Sequence, residues 1–321
     1  MRICSRTAAF ALGALWVAWM ATAALAAPAF GPWAAPVNLE SLAGTSPEVN
    51  TPYLDGCPIQ APDGLSLFIA SNRPGGLGGI DIWTAHRTSP GDPWGPPTNL
   101  GAPINSAADD FCPTPIGDRL LFVSSRAGGC GGADIYVAAF KAGRGWQSPS
   151  NLGCHVNSPA GEAGPSLVKG AFLFFSSNRA GGFAPEAPGV AADSDLYVSA
   201  LLPGSGYGPA TLVPGLNTAA EDARPNVRGD GLEIVFDSTR PGTLGGPDLY
   251  TATRASLTDP WSAPVNLGPA VNTASSETRA SLSSDGLTML FGSNRPGGEL
   301  APDGTTSNDL YVTTRQALPT G

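Results

Sequence analysis

An all-β fold, a closed five-bladed β-propeller of four-stranded blades, is predicted by three features of the 321-residue sequence. A motif recurs five times, the composition favours turns, and the two ends complement one another in phase. Glycine and proline number 42 and 32, together about 23% of the chain against an average of about 12%. Both residues break helices, so long helices and coiled coils are excluded. Only 13% of residues are charged and 42% are hydrophobic, which excludes charge-rich disorder and leaves material for a core.

Periodicity separates this composition from low complexity. Ser71-Asn72-Arg73-Pro74-Gly75-Gly76 leads to Asp81-Ile82-Trp83, and Ser125-Arg126-Ala127-Gly128-Gly129 leads to Asp134-Ile135-Tyr136. The third copy runs from Ser177-Asn178-Arg179 to Asp195-Leu196-Tyr197, the fourth from Ser238-Thr239-Arg240 to Asp248-Leu249-Tyr250. The fifth runs from Ser293-Asn294-Arg295 to Asp309-Leu310-Tyr311. Successive arginines lie 53, 53, 61 and 55 residues apart.

Each unit then reads as four short strands in order. The innermost begins just after an Asn (Asn50, Asn105, Asn157, Asn217, Asn272). The second is an apolar run, at 65–69, 120–123, 172–175, 232–236 and 287–291, led in by turns such as Pro62-Asp63-Gly64. The Asp-Ile-Trp or Asp-Leu-Tyr segment opens the third, and a segment that starts at an aromatic residue (33–39, 94–100, 146–152, 207–213, 261–267) forms the fourth. The chain stops after the third strand of unit five and begins with an orphan fourth strand at 33–39. Pairing those two closes the ring, whereas an open solenoid leaves bare edges at both ends.

The blocks Pro62-Asp63-Gly64 to Gly76 and Asp285-Gly286 to Gly298 resemble the WD40-like (PD40) repeat of TolB-type propellers, and the resemblance spans residues 33–315. It implies a propeller fold and an exported bacterial envelope protein, in a family that mixes interaction modules with uncharacterised proteins.

Residues 1–26 read as a signal peptide: Arg2 and Arg6 precede an apolar stretch at 8–25, and Ala24-Leu25-Ala26 offers small residues at the cleavage site. A retained anchor is the alternative, but residues 28–36 hold no stop-transfer pattern. Residues 27–321 are then a single propeller domain, periplasmic or secreted, with no membrane insertion once the signal is gone. Loss of Arg2 and Arg6 takes the net charge from −9 to −11. So acidic a chain has no electrostatic footing for nucleic acid or anionic lipid. The four cysteines left, Cys57, Cys112, Cys130 and Cys154, favour two disulfides in an oxidising compartment. Cys57 and Cys112 occupy the same position in neighbouring units and Cys130 shares a face with Cys154, so Cys57–Cys112 and Cys130–Cys154 are the expected pairs, with the other pairings open.

Candidate site residues follow from repetition. An acid stands five residues after each Asn: Asp55, Asp110, Glu162, Asp222 and Glu277. The alternating chain direction puts them on one face with Arg73, Arg126, Arg179, Arg240 and Arg295. One reading is an anionic binding ring at the channel mouth, or paired carboxylates for glycoside cleavage. The other is one structural ion pair per blade, and five equivalent acids favour it, because acid–base catalysis needs carboxyls in unlike environments. Asp81, Asp134, Asp195, Asp248 and Asp309 are expected to accept loop N–H bonds. The repeat is interrupted by longer loops at 183–193 and 298–308 and by an extra stretch after Leu39. Asp193, Asp195 and Asp303 in those loops are Ca²⁺ candidates without a full calcium-loop signature; no cofactor is otherwise expected. His86 and His155 read as surface residues, and neither Gly-x-Ser-x-Gly nor a phosphate-binding glycine motif is present. The expectation is a monomeric binding or scaffolding module for an envelope protein or polysaccharide. The alternative is a carbohydrate-active propeller enzyme.

Overall fold

The computed structural model describes residues 30–319 apart from 169–170, 185–191, 203 and 205. The signal segment 1–26 lies outside the described residues. Five antiparallel sheets form five blades. Blade one is Asp55–Gln60, Ser66–Ser71, Asp81–His86 and Thr98–Asn99, from the axis outward. Blade two is Asp110–Ile116, Arg119–Ser124, Asp134–Lys141 and Ser150–Asn151; blade three is Glu162–Val168, Phe172–Ser177, Asp195–Leu202 and Thr211–Leu212. Blade four is Asp222–Val227, Glu233–Ser238, Asp248–Thr253 and Val265–Asn266. Blade five is Glu277–Leu282, Thr288–Ser293 and Asp309–Thr314, completed by Val37–Asn38. Val37 lies opposite Val312 and Asn38 opposite Tyr311, so the N-terminal strand closes the ring. Among the described residues no helix is long and apolar enough to cross a membrane.

The outer strands are two residues long, shorter than the seven-residue segments read from the sequence. Their flanks carry Pro96-Pro97, Pro149 and Pro264, which cannot donate to a ladder. Blades two and three add a hairpin strand instead, Gly145–Trp146 and Gly206–Tyr207, against their longer third strands.

Blades two to five are each built around a cross-strand aromatic pair. Phe122 with Tyr136, Phe175 with Tyr197, Phe236 with Tyr250 and Phe291 with Tyr311 stack with ring centroids 6.0–6.1 Å apart. Blade one places Ile69 opposite Trp83. Such stacking adds about 0.5–1.5 kcal/mol beyond area burial. The repeated Asn of each connection ties it back to the third strand of the blade it leaves. Asn105 Oδ1 accepts from Ile82 N at 2.9 Å while its Nδ2 donates to Ile82 O at 2.9 Å. Asn50, Asn157, Asn217 and Asn272 make the same backbone exchange with Leu310, Ile135, Leu196 and Leu249.

Every inner strand is interrupted by a bulge two residues after its acid. Cys57, Cys112, Gly164, Arg224 and Arg279 hold φ of 45°, 46°, 57°, 51° and 58° there. Four non-glycine residues in this left-handed region are uncommon, and a bulge re-aims the side chain it carries. Here those five positions line the axial channel.

Candidate functional site

The five acids sit at the starts of the inner strands and are wholly buried. Each pairs with the arginine of its own blade. The separations are Arg73–Asp55 2.5 Å, Arg126–Asp110 2.7 Å, Arg179–Glu162 3.0 Å, Arg240–Asp222 2.5 Å and Arg295–Glu277 3.2 Å. A Ser or Thr four residues ahead of the acid gives it a backbone N–H and a hydroxyl, as Thr218 does to Asp222 at 2.6 and 2.8 Å. Each arginine is also locked by the Ser two residues before it and stacks on an aromatic ring of its blade. Burial outweighs the partner arginine at Asp55 and the serine hydroxyls at Glu162, and it pushes both carboxyls above their ordinary range. None of the five acids lines the channel cavity.

The aspartates that open the third strands order the Gly-rich loops. Cys130 N, Phe183 N, Leu244 N and Glu299 N donate to Asp134, Asp195, Asp248 and Asp309 at 2.5, 2.7, 2.8 and 2.7 Å, and Leu77 N donates to Asp81. The close approach explains the glycine before four of these five donors, Thr243 preceding Leu244: a Cβ on Gly129 would lie 1.9 Å from Asp134 Oδ2. Asp195 is pushed up to about 6 by burial, with Asp193 and Asp222 adding like charge against the Phe183 N–H. A raised carboxyl favours folding while protonated, so this contribution is full below about pH 4 and is lost as pH rises through 6. The Tm of Asp195→Asn will therefore gain on that of the wild type between pH 4 and 7, and parallel Tm–pH curves would refute the assignment.

No three His, Cys, Asp or Glu residues cluster as a metal site among the described residues. Asp303 is exposed and caps its own turn by accepting from Thr305 N and Oγ1. Most of the loop at 183–193 lies outside the described residues. The loop of unit five is anchored to blade one, where Asp55 N donates to Asn308 O at 2.9 Å and Ser307 Oγ to Thr51 O at 3.2 Å.

Both disulfides are present, Cys57–Cys112 between blades one and two and Cys130–Cys154 within blade two. The first walls a channel cavity of about 30 Å³, which Arg224 and Arg279 also line. Arg224 is bound to Asp237 through Nε and Nη2, at 3.0 and 2.5 Å, and lies 3.5 Å from Glu221. Reading the repeat did not single out these two arginines, yet alignment on the acid two residues upstream would have placed them with Cys57 and Cys112. The opposite end of the channel opens into a depression of about 440 Å³ with no titratable side chain in its lining. Large apolar residues are exposed on the acid face: Leu77 (52%), Phe183 (55%), Leu244 (47%) and Leu300 (56%), each in a Gly-rich loop.

No family model matches the chain, and no curated protein matches it in sequence. Solved structures do match. A thermostable family-43 glycoside hydrolase superposes with a TM-score of 0.55 at 13% identity, over 86% of this chain and 93% of that one. The α-L-arabinofuranosidase PaAbf62A from Podospora anserina gives 0.53 at 12% identity, over 90% and 98%. TolB from Acinetobacter baumannii gives 0.45 at 14% identity over 88% of this chain, which spans 56% of the TolB chain. At these identities the likeness is one of fold.

Proposed function

We propose that the chain is an exported, non-enzymatic binding module that holds a protein partner of the cell envelope on its acid face. The carrying observation is the set of four apolar side chains, Leu77, Phe183, Leu244 and Leu300, displayed by equivalent loops of blades one, three, four and five. Apolar residues repeated around one rim mark a protein-contact surface more than a glycan platform, which relies on polar groups and flat aromatic faces. Two disulfides fit the oxidising periplasm or exterior, and the sequence's resemblance to TolB-type repeats points the same way.

Glycoside cleavage is the weaker reading. It needs two carboxyl groups facing one substrate, about 5–10 Å apart. The five ring acids are instead closed off beneath their arginines, and a 30 Å³ channel admits no sugar ring.

The test is capture from the solubilised envelope of the source cells by the mature chain and by a Leu77→Asp/Leu244→Asp variant of equal Tm. One envelope protein should be retained in stoichiometric amount and lost at least tenfold by the variant. Equal capture by both, retention of glycan alone, or glycoside turnover abolished by a single ring acid would overturn the proposal.

A further inference from the structure

The central channel holds a cation that the fold leaves unused. Arg279 donates its backbone N–H to Asp237 Oδ1 at 3.0 Å, but its guanidinium makes no hydrogen bond to any described residue, and Nε is buried without an acceptor. The chain's other channel arginine is satisfied, because Arg224 takes both oxygens of Asp237. The five blade arginines are satisfied too, each by its own acid. A guanidinium carries five donors in a fixed fork; in this half-buried residue Nε is the donor closed off from water, and a buried donor left without an acceptor is costly. Burial and the neighbouring Arg224 lower Arg279 to about 10, against the nearby carboxylates of Asp237 and Glu221, which raise it, and it stays charged at neutral pH.

The surroundings leave room in front of it. Arg279 lies across Gly56, where a Cβ would sit 2.6 Å from Nη1. Gly164 offers no side chain at the level where the other blades place Cys57, Cys112 and Arg224. The cavity of about 30 Å³ holds roughly two water-sized groups. That suits the two oxygens of a carboxylate and is too small for a phosphate. Planar bidentate pairing is also what a guanidinium offers a carboxylate.

We propose that the acid-face mouth of the channel is a carboxylate-binding site, with Arg279 pairing the ligand and Arg224 as the second cation. It deepens the reading of this face as a protein-binding surface and rests on it for the source of the ligand. The carboxylate belongs to an acidic side chain or a chain terminus of the partner, seated at the centre of the apolar rim.

The site is tested without the partner. The Tm of the mature chain and of Arg279→Gln is compared in 100 mM sodium formate and in sodium chloride of equal ionic strength. Formate should raise the wild-type Tm by about 1–2 °C and leave Arg279→Gln unmoved. In chloride the variant should melt at or above the wild type, since it loses a charge that burial and Arg224 disfavour and an Nε–H that has no acceptor. No formate effect, an equal effect in both proteins, or a variant that melts several degrees lower would overturn the proposal. Two labelled peptides then separate the sources, one with a Glu and an amidated end, the other acid-free with a free C-terminus. Binding of either, weakened at least tenfold in Arg279→Gln, identifies the source, and binding of neither overturns a protein-borne ligand. Formate stabilisation alongside failed envelope capture would refute the functional reading while leaving the site.

Discussion

Replacing Asp222 by alanine will lower the unfolding free energy by about 3–5 kcal/mol, the usual cost of removing one partner from a buried ion pair. Arg240 loses its 2.5 Å carboxylate contact but cannot leave. Its Nε is held by Ser238, its Nη2 by Leu216 O, and its guanidinium lies between Phe236 and Tyr250 at 5.0 and 4.9 Å. Thr218 loses the acceptor for both its N–H and its hydroxyl. The cost is therefore a stranded cation plus two unpaired donors, not the worth of a surface salt bridge. The double variant Asp222→Ala/Arg240→Met should recover part of the loss, because no charge then remains to be desolvated. Denaturant unfolding of the single and double variants decides the matter. A single-variant loss below 1 kcal/mol would show that the pair is solvated and that the acid ring is open to ligands after all.

The pairing of acid and arginine was legible in the sequence because both recur at fixed offsets, and a contact made five times leaves five copies of its two ends. Ring closure was legible for a similar reason, since the orphan strand at 33–39 has the phase that the last unit lacks. Arg224 and Arg279 were not legible in this way. They occupy positions that other blades fill with Cys57, Cys112 and Gly164, so repetition averages them out. The bulge also defeats period-two reasoning, because an extra residue in the inner strand turns the side chain toward the axis. The aromatic starts of the fourth segments were visible, but not their work. Arg87, Arg254 and Arg315 stack on Trp94, Trp261 and Trp33 at 4.1–4.3 Å on the face opposite the acids. Their Nε atoms also bond Gly64 O, Gly231 O and Gly286 O at 2.7 Å. Those glycines hold φ of 73–77° and form the turns into the second strands, so each stack ties a fourth-strand connection to the inner hairpin of its blade.

Removing the Cys57–Cys112 bond with a Cys57→Ser/Cys112→Ser double variant should cost about 4 kcal/mol, more than the roughly 3 kcal/mol for the same exchange at Cys130 and Cys154. The order follows from the loops closed, 55 residues against 24, because a cross-link over a longer loop removes more entropy from the unfolded chain. Serine leaves the backbone comparison clean: positions 57 and 112 stay in the left-handed region with a side chain of the same shape, so any φ strain is common to both proteins. The two bonds also differ in what else holds the joined parts. Cys130 and Cys154 lie in one blade, whose strands remain paired without the sulfurs. Cys57 and Cys112 join two inner strands that are not hydrogen-bonded partners, so side-chain packing is what remains between them at the axis. Guanidinium unfolding of the two double variants under oxidising conditions measures the difference. A smaller loss for the 57/112 variant would mean that packing between blades one and two already fixes their spacing, and that the bond serves the wall of the channel rather than the stability of the ring.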